Sequence, residues 1–132
     1  MKKHISLFIV LSESKALATY ADGKVNVVPV SSIKVMGDNI WLIDYFMEKT
    51  SENIKKNPEI SLVCWKDMMG YQLKGTATYE SEGKRYKKAC EWIAPIHPDR
   101  IVKGLIVFAP LEVFDIAPAK NTEEQIKGLM ES

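Results

Sequence analysis

The chain has 132 residues, 46% apolar and 27% charged, the balance of one soluble globular domain with a single core. Its 18 basic and 17 acidic residues are interspersed and sum to +1, which argues against a broad basic face for duplex nucleic acid. Only Arg85 and Arg100 are arginines, so bidentate base readout is disfavoured as well, and any anion site has to be local.

Residues 2–13 read as an amphipathic helix with Ile5, Phe8 and Ile9 on one face. The basic start and apolar run superficially resemble a secretory leader, but Ser12-Glu13-Ser14-Lys15 put charge where a cleavage region prefers small neutral residues. No stretch approaches the roughly 18 apolar residues that span a bilayer. Cys64 and Cys90 show neither metal-ligand nor disulfide spacing and read as small buried hydrophobes in a reducing setting. The expectation is a cytoplasmic protein of one domain, residues 1–132, with no membrane and no nucleic-acid partner.

KALATY turns at Ala21-Asp22-Gly23 into KVNVVPVSSIKV, and a second turn at Met36–Asn39 leads into NIWLIDYF. The D-G pair between β-rich runs is a hairpin signal, and the three runs make a meander. Pro29 cannot donate to a ladder, so the middle run is an edge, is bulged, or faces something other than a neighbour. EISLVCW reads as a strand buried on both sides. In YQLKGTATYE, Leu73, Gly75, Ala77 and Tyr79 alternate with Gln72, Lys74, Thr76 and Thr78. Residues 82–94 have helical spacing. GLIVFAPLEVFDI is a long strand interrupted at Pro110, and TEEQIKGLM is a terminal helix. Antiparallel strands with few helices describe a mainly β, α+β chain folded as a small closed or half-closed barrel.

Between the third and fourth strands stands EKTSENIKKNPE, a short helix stopped at Asn57-Pro58. Thr50 or Ser51 is a natural N-cap, and the helix start with Lys49 forms an anion pocket, although a capped surface helix explains the same residues. Val28-Pro29-Val30-Ser31-Ser32-Ile33 offers an apolar surface and exposed backbone groups; an edge strand with solvent-facing serines is the alternative. The two segments reinforce each other only if they adjoin. His97, in a loop with Asp99 and Arg100, is a candidate general base or simply turn chemistry. No metal site and no obligatory proton donor stand out.

The pieces LATYADGKVNVVPV, IDYFMEKTSENIKKNPEISL and GYQLKGTA occur in the order and at the spacing of a known family. Together they resemble the FMN-binding split barrel of the pyridoxamine 5'-phosphate oxidase-like proteins, with K-T-x-x-N-x-x-x-N-P as the most specific element. The resemblance implies a six-stranded antiparallel split β-barrel with flanking helices, forming a homodimer with FMN at the subunit interface. It implies that Lys49 and Thr50 hold the FMN phosphate. Val28, Pro29, Val30, Ser31, Ser32 and Ile33 would run beside the isoalloxazine and ribityl chain. Ile43 and Asp44 would meet the ribityl or phosphate end, with Gln72 contributed from the partner.

The pyridoxamine phosphate oxidases themselves have an arginine where this chain has Val28, Arg-Lys in place of Lys49-Thr50, and a glutamine aligning with Gly70. Their C-terminal extension with basic and aromatic residues is also unmatched. These departures point away from pyridoxal phosphate synthesis and toward a flavin-dependent oxidoreductase of undefined substrate. The alternatives are a non-catalytic FMN carrier or electron-transfer module, a split barrel using deazaflavin or haem, or a dimeric scaffold.

Overall fold

A computed structural model describes residues 1–118; the helix expected over TEEQIKGLM lies outside the described residues. The elements are α1 (Lys3–Leu11), β1 (Ser14–Ala21), β2 (Lys24–Pro29), β3 (Ile33–Met36), β4 (Asn39–Asp44), α2 (Glu48–Lys56), β5 (Glu59–Lys66), β6 (Met69–Glu80), α3 (Lys84–Ile93) and β7 (Gly104–Asp115). All seven strands belong to one antiparallel sheet in the order β2-β1-β5-β6-β7-β4-β3.

The first hairpin forms as its D-G pair requires: Asp22 and Gly23 both take positive φ, 55° and 76°, the backbone of a tight two-residue turn. The middle run of the meander is not one strand but two. Val30 N–H donates to Lys15 O on β1, whereas Ser32 O accepts from Ile43 N on β4. The chain therefore changes partner at Ser31, and this single exchange joins the two ends of the sheet order. Counting β2 and β3 as one bent strand recovers the six strands expected.

Inside the sheet, Leu17, Ile40, Leu42, Leu62, Leu73, Ile106 and Phe108 are fully buried, and α1 packs Phe8 and Ile9 against the same cluster. Phe8 meets Tyr71 edge-on at 5.5 Å. A second cluster outside the barrel packs Trp41, Ile43, Tyr45, Leu105 and Val107 against Ala89 and Ile93 of α3. β5 departs from the doubly buried reading. Ile60, Leu62 and Cys64 point inward and the residues between them are only half covered or exposed. Burial, acting against the nearby Lys15, pushes the Cys64 thiol up to about 12, which suits an inert core residue. Trp65 is 38% exposed and does not join the core.

β7 bends at Pro110 rather than ending there. Gly75 lies opposite Pro110, and the β6–β7 register shifts between Lys74 and Gly75. A Cβ on Gly75 would stand 2.1 Å from the Ala109 carbonyl oxygen. Gly75→Ala should therefore lower stability by about 1–3 kcal/mol through overpacking. Urea denaturation checks this, and an unchanged midpoint would mean that the bulge relaxes freely.

Candidate functional site

α2 starts one residue after Met47, earlier than a Thr50 or Ser51 cap requires. Those two residues lie inside the helix: Ser51 Oγ donates to Glu48 O, and Thr50 is fully buried. The capping group is Asp44, whose Oδ1 accepts the Met47 N–H while its Oδ2 accepts the Tyr79 hydroxyl. A carboxylate at the head of a helix is favoured by the helix dipole. It also answers the cost of burying a charge that is only 1% exposed.

The inner face of α2 is polar and matched to the sheet. Asn53 Nδ2 donates to Thr19 Oγ1 at 3.0 Å, and Asn26 Nδ2 donates to Thr50 Oγ1 at 3.0 Å. Lys49 points outward, with 68% of its side chain exposed and a loose 3.6 Å contact to Glu52. Lys56 pairs with Asp22, and Lys55 lies 4.9 Å from the Tyr79 ring centroid, so neither stands free at the helix start.

The two segments singled out in the sequence do adjoin. Ser32 O receives the Ile43 N–H, and the Ser32 and Tyr45 hydroxyls are 2.7 Å apart in a buried hydrogen bond. Val30, Ser32 and Ile33 are buried, Val28 is half-buried, and Pro29 and Ser31 are exposed. Ile43 turns its side chain into the α3 cluster, which leaves only its backbone to the site. Gln72 is not brought to these residues by its own chain. It lies on β6 between Val63 and Phe114, on the outer face of the sheet.

Tyr45, Asn26 and Tyr79 escaped the sequence reading. Asn26 had a signal, since it occupies the inward phase of β2 while Val25 and Val27 face outward, 82% and 68% exposed. Tyr79 announced itself only as one residue of an alternating face.

The sequence profile of the family described as pyridoxamine 5'-phosphate oxidase matches residues 1–120. The chain belongs to that family. An uncharacterized protein of Methanocaldococcus jannaschii is 38% identical over 100 residues, covering 72% of this chain and 66% of that protein, just under two thirds of its length. Among solved structures, HupZ of Group A Streptococcus superposes with a TM-score of 0.80 at 21% identity, over 92% of this chain and 98% of that one. An FMN-binding protein from Syntrophomonas wolfei gives 0.75 at 18% identity, over 89% and 86%. The haem storage protein HutZ of Vibrio cholerae gives 0.68 at 14%, over 86% and 92%. At these identities the likeness shows the fold, a split barrel shared by proteins with different ligands.

Burial, followed by the Asp44 carboxylate, raises the pKa of the Tyr79 phenol above its ordinary value. The neutral phenol is thus favoured in the folded state, and its contribution is full below the unfolded phenol pKa of about 10 and lost as pH rises beyond it. Tyr79→Phe should cost about 1–3 kcal/mol at neutral pH by leaving Asp44 short of a donor. It should also flatten the alkaline fall in stability. Denaturation between neutral and alkaline pH measures both.

Proposed function

We propose that the chain binds FMN where the β2–β3 partner exchange meets the head of α2, and that it acts as a flavin-dependent oxidoreductase on a small molecule. The observation that carries this reading is the adjacency of Pro29–Ile33 and Asp44–Thr50, joined through Ser32, Ile43 and Tyr45. The donors fit an FMN phosphate. The first-turn N–H groups of α2 have no intrahelical partner and the Lys49 ammonium is exposed, whereas Thr50 lies fully buried under Asn26 and would have to be uncovered to take part. Beside them, the backbone of Ser31 makes no hydrogen bond among the described residues and lies exposed at the edge of a buried apolar strip. When bound, the flavin would supply the hydride or electron chemistry. The chain's own residues would anchor, orient and shield it.

A homodimer with FMN at the interface completes the reading. The outer face of the sheet carries a groove of about 380 Å³ lined by Tyr20, Val25, Ile60, Lys74 and Leu111 among others. Val25 and Leu111 there are 82% and 75% exposed, and Val27 continues the patch. An apolar sheet face of this kind favours a second copy. Gln72 shares that outer face, which suits its expected contribution across the interface. Cytoplasmic residence belongs to the same reading; among the described residues no helix is long and apolar enough to cross a membrane.

The protein should show flavin absorbance on purification or take up one FMN per subunit on titration. Lys49→Ala should weaken binding by about 1–3 kcal/mol, and riboflavin should bind clearly worse than FMN. Equal affinities for the two flavins would remove the phosphate assignment. Turnover with a nicotinamide donor separates an enzyme from an electron-transfer carrier. Val25→Glu should sediment as a monomer and lose flavin affinity; a variant that remains dimeric would place the interface elsewhere.

A further inference from the structure

The helix that opens the chain leaves one side uncovered. α1 turns Phe8 and Ile9 into the barrel, while Leu7, Val10 and Leu11 stand 47%, 41% and 53% exposed. At helical spacing these three fall with Lys3 on one stripe, across the helix from Phe8 and Ile9. The first turn holds no acidic residue, and Lys2 and Lys3 are exposed there, cations at the positive end of the helix dipole. An apolar stripe with an uncompensated basic end suits a cover that is acidic at its start and apolar along its length.

β7 delivers such a segment to this place. Ile116 N–H donates to Gly70 O at 3.1 Å, which carries the β6–β7 ladder past Asp115, and the described residues end two positions on, at Pro118. Between the end of β7 and α1 lies a groove of about 380 Å³, lined by Tyr71, Val113 and Asp115 on the sheet and by Met1, Lys2 and Ile5 on the side of α1. From Pro118 the chain to Thr122 spans up to about 13 Å, a reach that takes it to the first turn of α1 at the far wall of that groove.

The sequence beyond Pro118 is AKNTEEQIKGLMES. Thr122 with Gln125 has the pattern of a capping box, and Ile126, Leu129 and Met130 make one apolar face. A helix this short, with Gly128 inside it, is marginal by itself and gains its stability against a surface. Its register matches that of α1. Glu123 and Glu124 come just before Ile126, as Lys2 and Lys3 come before Leu7. Leu129 and Met130 then follow Ile126 by three and four residues, as Val10 and Leu11 follow Leu7.

We propose that residues 122–130 dock as a helix parallel to α1, with Ile126, Leu129 and Met130 on Leu7, Val10 and Leu11 and with Glu123 and Glu124 beside Lys2 and Lys3. The docked segment covers the groove at the end of β7 and clamps α1 onto the barrel. Phe8 packs in the same cluster as Val30 and Ile33, so the clamp bears on the candidate binding strip from the core side. The contact needs no flavin and stands or falls apart from the cofactor reading.

Hydrogen–deuterium exchange of the full chain tests it. The amides of residues 124–130 should exchange at least about tenfold more slowly than in an unstructured chain. L7E/V10E should bring them to the unstructured rate while β5 and β6 keep their protection, which reports a folded barrel. I126E/L129E should do the same from the other side of the contact. K2E/K3E leaves the apolar stripe intact and should speed exchange about threefold or more, and it carries the test if L7E/V10E does not fold. Unprotected amides in the native chain would overturn the proposal. So would protection that survives L7E/V10E or, where that variant does not fold, K2E/K3E. Mixing L7E/V10E, whose segment is intact, with I126E/L129E, whose stripe is intact, should restore nothing; restored protection would seat the segment on a second copy and overturn the proposal as well.

Discussion

The end of β4, the start of α2, the end of β6 and the loop before β7 meet at Asp44. Its carboxylate accepts from the Met47 backbone and the Tyr79 hydroxyl, and its carbonyl accepts from Lys103. A carboxylate this far from water is tolerable only with such donors, so each element that supplies one is fixed relative to the others. The space that admits the Tyr79 ring is equally constrained, because a Cβ on Gly104 would stand 2.2 Å from it. With its head held by Asp44, α2 can lay Asn53 on Thr19 and Thr50 under Asn26. That pose in turn sends Lys49 outward. The direction of the candidate anchor is thus set by a buried charge five residues upstream of it.

The second constraint is the exchange at Ser31. A strand that pairs with β1 through Val30 and with β4 from Ser32 onward must bend between them, and Pro29 has no N–H to keep the first ladder going. Closing a sheet removes its open edges, and Ser31, which has no ladder bond and follows Pro29 by two residues, is where closure disturbs the pairing least. The backbone left exposed by the bend belongs to the candidate binding strip. Fold closure and candidate binding strip are therefore the same few residues.

Local chemistry explains what the sequence reveals. The Asp22-Gly23 turn needs two positive φ angles, and the Asn57-Pro58 stop needs an extended residue before proline; both are readable from adjacent residues. The family motif likewise places α2 and the segment before it. What stayed hidden depends on partners distant in sequence. The cap of α2 looked like Thr50 or Ser51 because hydroxyls are good caps. The true acceptor sits on the preceding strand, and both hydroxyls are used elsewhere. β5 looked doubly buried because its composition is apolar, yet composition cannot tell a core from a face that a second chain would cover. The run from Lys24 to Val35 looked like one strand because a change of pairing partner leaves no mark in periodicity.

The same geometry bears on how selective the helix head can be. Asp44 already occupies one of the donors at the positive end of α2, and Glu48 opens the first turn with a further negative charge. A phosphate arriving there meets fewer free N–H groups and more negative charge than at a helix head without acids, so more of its neutralisation falls to Lys49. An anchor of that strength narrows the choice of ligand less than the strip from Val28 to Ile33, whose shape is fixed by burial and by the Ser32–Tyr45 bond. In a fold shared with both an FMN-binding protein and a haem storage protein, ligand identity then rests mainly on that strip and on what the second face of the pocket presents. The loop before β7 adjoins the strip through Tyr45, whose hydroxyl bonds Ser32, while the barrel beneath remains the same closed sheet.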